Sequence, residues 1–388
     1  MQRVMDSIFV VLYGVGGVGS EVVRILNSRR ESLQEHDLPD ISFVGLVDST
    51  AAVYCKNGLS SETVERLLKH KKSKKPFKTF KCSLETEGKL TNEDIRSVIG
   101  GSVSHNVLYR VHDDKRSFVL VDCTSDDAVS EDLVTALRIW KNWSVVLANK
   151  KPLTKSIKTF QLLTADPKRI RYESTVGAGL PVVATLRRVI LSADPIFKIT
   201  GAFSGTLGFL CSQLESKADA TFSNVVLKAK AMGYTEPDPR EDLNGMDVAR
   251  KALILARTCG SLVAMEDVKV QSLFPSWMQT MDVHDFLKEM SELDGKFKSK
   301  FSAAEEQNKT LRYCATIIFS HDRRAKVEVG LKEVSKSSAL GRLQGSDNIV
   351  SVESFVYSDS PLVLQGAGAG ATSTATGVIG DIFDMHLR

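Results

Sequence analysis

The chain alternates short apolar runs with longer amphipathic ones, the rhythm of strands followed by helices. Residues 8–13 (I-F-V-V-L-Y) are continuously apolar, as a strand buried on both faces should be. The next run buries Val22, Val23, Ile25 and Leu26 at helical spacing and predicts a helix. Strands are predicted again at 41–47, 118–123 and 145–147, with a helix over 128–140 before the last. Residues 60–116 are polar and irregular, with short helical patches at 61–69 and 92–99 and a break at Gly100-Gly101. Past Pro152 the pattern changes. It predicts a helix over 182–191, a strand over 196–203, and helices over 205–216 and 221–232, with Gly233 as a left-handed cap. Residues 262–311 are mixed and charged. Strands over 312–319 and 325–331 pair around a polar turn, two more follow at 348–357 and 361–364, and a helix closes the chain over 374–385.

The first strand runs directly into Gly14-Val15-Gly16-Gly17-Val18-Gly19. This is G-x-G-x-x-G with a strand before it and a helix after it, the setting the motif needs to bind a dinucleotide. Gly14 permits the tight turn, Gly16 lets a pyrophosphate approach the backbone, and Gly19 lets helix and strand pack closely. Gly17 and Val18 open the helix, whose N-terminal amides and dipole favour phosphate. The fold class is therefore α/β: a Rossmann dinucleotide-binding domain plus a second, α+β domain. The second Gly/Ala tract, Gly366 to Ala371, opens the last helix and includes Gly368. It suggests that the chain end returns to the nucleotide domain, giving a discontinuous domain over 1–152 and 366–388 and a second over 153–365.

The other strand ends fill in the crevice. Asp48 ends the second strand, where a carboxylate would hold ribose hydroxyls and favour NAD. Its distance from Gly14 reflects an insertion over 28–40, and Lys56 further on offers a cation for the 2′-phosphate of NADP. The choice between NAD and NADP stays open. Thr124 and Ser125 follow the 118–123 strand and suit contact with a cofactor, although a plain helix cap is compatible. Lys150 and Lys151 follow the 145–147 strand; they read either as a solvated pair or as one functional lysine aimed at the crevice.

Composition narrows the class. The 51 basic and 47 acidic residues leave a net charge of +4, too little to argue for nucleic acid. The lysine-rich stretch 69–81 reads as a solvated loop. The cysteines at 55, 82, 123, 211, 259 and 314 form no C-x-x-C pair and fit reduced thiols. No apolar stretch reaches membrane-spanning length, and cytoplasm is the expected location.

Residues 229–251 hold Glu236, Asp238, Glu241, Asp242 and Asp247 between two prolines and the start of an apolar-periodic helix. Asn244 is placed to cap that helix, with Asp247 at the position of a capping-box acid. Asp247 and Lys251, four apart, share one helix face. Alone, that pair is a surface ion pair; with Pro237 and Pro239 stiffening the acidic loop, it can also grip a small zwitterion and manage a proton. Residues 173–181 (E-S-T-V-G-A-G-L-P) form a tight small-residue turn whose carbonyls either ligate a cation or simply connect two elements.

The stretch 229–251 resembles the homoserine dehydrogenase signature at Ala229, Gly233, Tyr234, Asp238, Pro239, Asp242, Leu243, Gly245, Asp247 and Lys251. G-V-G-G-V-G, A-N-K-K-P at 148–152, the 173–181 turn, S-G-T-L at 204–207 and the Gly/Ala tract extend the resemblance over nearly the whole chain. It implies reversible NAD(P)-linked interconversion of L-aspartate 4-semialdehyde and L-homoserine, on the way to threonine and methionine. It also implies a homodimer and a sodium ion held by Glu173, Val176, Ala178 and Leu180. Glu236 and Asp247 are implied as substrate contacts, with Asp242 in support. Lys251 is implied as the proton donor, Lys150 as a second lysine beside the nicotinamide, and Gly233 and Gly368 as cofactor neighbours. No aspartokinase or threonine-sensing segment matches, so a monofunctional, threonine-insensitive enzyme is expected. Two rivals remain: a thioester-forming semialdehyde dehydrogenase using Cys123, and a non-catalytic dinucleotide sensor.

Overall fold

The computed structural model describes residues 7–29, 38–82, 88–91, 103–216, 219–322 and 324–386. Most of the insertion at 28–40, the helical patch at 92–99 and the Gly100-Gly101 break lie outside them. The described chain divides into two compact units, residues 1–175 with 370–388, and residues 176–369.

The first unit begins with β1 (Ile8–Tyr13) and α1 (Gly17–Ser28), then β2 (Ile41–Val47), β3 (Ala51–Tyr54), α2 (Ser61–Lys72), β4 (Gly88–Thr91) and α3 (Val103–Val111). It continues through β5 (Ser117–Asp122), α4 (Ser130–Ile139), β6 (Trp143–Leu147), α5 (Lys151–Thr154), α6 (Ile157–Thr164) and β7 (Ile170–Arg171). Its seven-stranded sheet has the order β4-β3-β2-β1-β5-β6-β7. The strands from β2 to β7 are parallel, and β3 and β4 add an antiparallel edge. Strand order reverses at β1, which lies between β2 and β5, so the crevice of a Rossmann-type fold opens at the carboxyl end of β1. β1 is almost wholly buried because helices cover both faces of a parallel sheet. The last helix of the chain, Ala371–Asp384, supplies Ala375, Val378, Ile382 and Phe383 to the same core as Val22, Val23 and Leu26 of α1.

The described residues within 60–116 are more ordered than their polarity suggests. The lysine-rich stretch is not a solvated loop: it is the last turn of α2 followed by a 3-10 turn at Phe77–Thr79. Phe77 is fully buried and anchors that turn. Burying such a side chain contributes about 1.5–3 kcal/mol, enough to order a segment of few apolar residues.

The second unit contains α7 (Val182–Leu191), β8 (Ile196–Ala202), α8 (Gly205–Ser216), α9 (Phe222–Ala231), α10 (Arg240–Leu243), α11 (Met246–Thr258) and β9 (Lys269–Val270). Then come α12 (Val283–Glu289), α13 (Asp294–Glu306), β10 (Lys309–Phe319), β11 (Ala325–Ser335), β12 (Asn348–Ser354) and β13 (Leu362–Gly366). Its sheet has the order β13-β12-β8-β10-β11-β9 and is antiparallel except where β9 joins β11. α8, α11 and α13 pack against β10, and α11 also packs against β11. Among the described residues, no helix is long and apolar enough to cross a membrane.

Candidate active site

In the first unit, Gly14 turns the chain with φ +87°, and a Cβ there would come within 2.8 Å of the Cys123–Thr124 backbone. That close approach brings the ends of β1 and β5 together beneath the crevice. Gly16 caps α1 with no side chain bonding the helix amides, and a Cβ on it would meet open space. Gly17, Val18 and Gly19 form the first turn of α1, which contains no acidic residue. An uncapped helix N-terminus beneath an open backbone fits the pyrophosphate of a dinucleotide.

Asp122 is fully buried at the end of β5. Its carboxylate accepts from the Thr124 amide (2.9 Å) and hydroxyl (2.7 Å) and from Asn149 Nδ2 (3.0 Å). Burial pushes this carboxyl up to about 6, although the three donors oppose the shift. Thr124 is thus tied into the floor of the crevice, while Ser125 is exposed. Neither caps α4, which starts at Ser130 behind Val129. Lys150 is half-buried at the start of α5, and its carbonyl accepts from Thr154. Burial and the neighbouring Asp122 both raise the Cys123 thiol well above its ordinary range. A thiol held neutral in this way is a poor nucleophile, which counts against the thioester rival.

The structure departs from the sequence reading at Asp48. Its Oδ1 accepts from the Thr50 amide (2.8 Å) and hydroxyl (2.7 Å) and the Ala51 amide (3.1 Å). Its Oδ2 accepts from Lys71 Nζ (2.9 Å) and the Phe77 amide (2.9 Å). Burial alone would raise this carboxyl, but the donors from Thr50, Lys71 and Phe77 outweigh it and hold it below the ordinary value. Asp48 is an internal brace. Lys56 is equally displaced, because β3 runs back antiparallel to β2 and Cys55 bonds Val44. The Lys56 carbonyl accepts from Arg116, away from the carboxyl end of β2.

In the second unit, α11 presents Asp247 and Lys251 from its first two turns. Lys251 Nζ donates to the Phe203 carbonyl (2.7 Å) and pairs with Asp247 Oδ2 (2.8 Å). Its side chain is 12% exposed, against 44% for Asp247, so the ammonium is held at the edge of the protein interior. The helix starts one residue later than a capping box requires. Gly245, with φ +76°, is the N-cap, and Asn244 Oδ1 accepts from the Met246 amide at 2.8 Å. Asp247 is therefore not at the position of a capping-box acid, and it pairs with Lys251.

The acidic loop splits by partner. Asp242 Oδ2 accepts from the Glu236 amide (2.8 Å), and Oδ1 accepts from Thr206 (3.2 Å). The Thr206 hydroxyl also contacts the Tyr234 carbonyl at 2.5 Å. Burial raises the Asp242 carboxyl, and the nearby Glu236 and Asp247 carboxylates push the same way. Glu236 is exposed. Asp238 instead clamps the buried Arg240, which also bonds the Met278, Gln279 and Met281 carbonyls. Gly233 ends the turn after α9 with φ +72°.

Gly368 has a reason of its own in the second unit. It is buried against Asn348, whose Nδ2 donates to the Gly368 carbonyl (3.1 Å) and to the Phe203 carbonyl (3.4 Å). Any side chain on Gly368 would overlap Asn348. The Phe203 carbonyl, Thr206 and Asn348 escape sequence reasoning because two are ordinary polar residues and one acts through its backbone.

Of the cation candidates, Glu173 belongs to the first unit, where its amide donates to Asp381 (2.8 Å). Val176, Ala178 and Leu180 belong to the second. Gly177 and Ala178 are both left-handed (φ +84° and +57°), which turns successive carbonyls out of regular pairing. The Leu180 carbonyl already accepts from the Val182 amide at 2.8 Å and keeps one lone pair. Among the described residues, no group of three or more His, Cys, Asp or Glu could hold a metal by side chains alone.

Known proteins resemble this chain along much of its length. A family model described as homoserine dehydrogenase matches residues 181–383. A homoserine dehydrogenase of Paracoccidioides brasiliensis is 42% identical over 286 residues, covering 70% of this chain and 74% of that protein. One from Emericella nidulans is 37% identical over 319 residues, covering 79% and 82%. Among solved structures, a Candida auris protein of unknown function has a TM-score of 0.79 at 31% identity, over 98% of this chain and 99% of that one.

Proposed function

The chain belongs to the homoserine dehydrogenase family, and on that premise we propose that Lys251 is its proton donor and acceptor. The reaction interconverts L-aspartate 4-semialdehyde and L-homoserine with a nicotinamide dinucleotide, in the branch leading to threonine and methionine. The first unit holds the dinucleotide, with the α1 amides on the pyrophosphate and Lys150 orienting substrate or cofactor. When bound, the dinucleotide gives or takes a hydride at its nicotinamide C4.

The second unit manages charge. As the semialdehyde is reduced, its carbonyl oxygen gains negative charge and needs a proton. An ammonium carries three hydrogens. Phe203 and Asp247 take two from Lys251, which leaves the third for the substrate oxygen. In oxidation the same nitrogen accepts the hydroxyl proton. Glu236 and Asp247 hold the substrate ammonium, and Asp242 fixes Glu236 through its amide. The observation that carries this reading is a lysine held by two acceptors, the Phe203 carbonyl and Asp247, with one ammonium hydrogen left over. The test is homoserine-dependent reduction of NAD and of NADP, followed by absorbance. Turnover with at least one dinucleotide is expected; none with either would overturn the reading and favour the non-catalytic sensor.

The turn at Val176, Ala178 and Leu180 is the seat for a sodium ion, held by backbone carbonyls. Exchanging sodium chloride for choline chloride at constant ionic strength should lower the melting temperature by a few degrees, the shift expected when about 1 kcal/mol of ion binding is lost. An unchanged melting curve would remove the ion from the account.

The protein is a homodimer in this reading. Leu191, Phe197, Phe355 and Val356 are 76%, 43%, 72% and 66% exposed. Asp194 fixes the patch by accepting from Ser354 Oγ (2.6 Å) and the Val356 amide (3.1 Å). Apolar groups held rigidly in water are the composition of an interface. Phe355→Glu should convert the dimer to monomer in sedimentation; a dimer undisturbed by that charge would place the contact elsewhere. The buried thiols of Cys55, Cys211 and Cys314 support a reducing, cytoplasmic location.

A further inference from the structure

The carboxylate that would distinguish NAD is already occupied. A carboxylate offers about four lone-pair sites, and Asp48 meets five donors: Thr50 twice, Ala51, Lys71 and Phe77. Its side chain is 5% exposed. A ribose diol arriving at the end of β2 finds no acceptor there.

What remains around that strand end is cationic. Lys71 reaches Asp48 from the last turn of α2, lies 5.4 Å from the Phe77 ring centroid and keeps 24% of its side chain exposed. Asp48 takes one of its ammonium hydrogens, leaving donors for a second anion. Lys78 is brought to the same corner, because its amide donates to Thr50 Oγ1 at 3.2 Å. Thr50 itself is tied to Asp48, so the corner is a fixed structure and not a flexible lysine tract.

We propose that Lys71 makes this enzyme select the phosphorylated dinucleotide, NADP(H), over NAD(H). The residue acts twice: it neutralises and occupies the Asp48 carboxylate, and it presents positive charge to the 2′-phosphate. A phosphate dianion gains a charge-assisted contact there, while a neutral diol gains neither an acceptor nor a charge. The proposal rests on the first unit binding a dinucleotide, as set out above.

Fluorescence titration with NADPH and NADH tests it, on the wild type and on Lys71→Met, Lys71→Arg and Lys56→Ala. The wild type should bind NADPH at least about tenfold more tightly than NADH, the scale of one charge-assisted contact. Lys71→Met should lower that ratio about tenfold or more by weakening NADPH. Lys71→Arg should retain most of the preference, and Lys56→Ala, changed at the other end of the strand, should leave it unaltered. The ratio is read within one preparation, so partial unfolding of a variant does not mimic the effect. Equal binding by the wild type, tighter binding of NADH, or a Lys71→Met ratio within twofold of wild type would each overturn the proposal. Homoserine turnover, measured in parallel, judges the dehydrogenase reading separately: its absence with a clear NADPH preference overturns that reading alone.

Discussion

Gly245→Ala should cost about 2–4 kcal/mol of stability and remove most activity in whatever folds. Two effects coincide at this position. The backbone has φ +76°, in the left-handed region that a side chain strains. The new methyl would also overlap the Tyr313 hydroxyl, which is fixed by its 2.7 Å bond to the Gln271 carbonyl. Neither the turn nor the tyrosine can give way cheaply. Because Gly245 is the N-cap of α11, any shift there moves Asp247 and Lys251 with it. Chemical denaturation measures the stability loss, and combining the change with Tyr313→Phe should restore part of it by removing the hydroxyl. A wild-type midpoint in Gly245→Ala would show that the close packing is not a constraint.

Lys251→Met should lower kcat by about 10²–10⁴-fold, the usual contribution of a positioned proton donor. Methionine nearly preserves the length and apolar stem, so packing along α11 should survive. What is lost is the ammonium, and with it one partner of Asp247 and one of the Phe203 carbonyl. Asp247 is 44% exposed and can turn to water, and the buried Phe203 carbonyl still accepts from Asn348, so the melting temperature should move by only a few degrees. The effect should therefore fall on kcat more than on KM, since the substrate ammonium is held by Glu236 and Asp247. Steady-state kinetics with L-homoserine and NADP reads both constants. A rise in KM at unchanged kcat would make Lys251 a binding group.

Local features were legible in the sequence and contacts between distant residues were not. β1, Gly14 to Gly19 and α1 could be read because strand, turn and helix N-terminus are adjacent in the chain. The Asp247–Lys251 pair was legible for the same reason, being one helical turn long. Asp48 looked like a ribose ligand because nothing near it in sequence hints at its partner. That partner, Lys71, is 23 residues away and is brought back by an antiparallel edge strand of only four residues. Such short edge strands carry no periodicity to detect. Lysine-rich composition then disguised an ordered corner as a solvated loop, because only the two phenylalanines among its lysines, Phe77 and Phe80, mark it as anchored. Asn348 is the same case in the second unit. It reaches the Phe203 carbonyl across 145 residues of chain while also bonding Gly368, and no motif announces it. Gly368 was recognised as special for its place in a glycine tract, but its packing against Asn348 gives it a structural reason that spacing alone could not supply.

The central claim is that Lys251, and not Lys150, exchanges the proton with substrate. Measuring kcat for homoserine oxidation by Lys251→Met and Lys150→Met under identical saturating conditions tests it most directly. Lys251→Met should lose about 10²–10⁴-fold, and Lys150→Met should show a smaller loss with a larger rise in KM. Near-normal turnover by Lys251→Met, with Lys150→Met inactive, would contradict it and exchange the two roles.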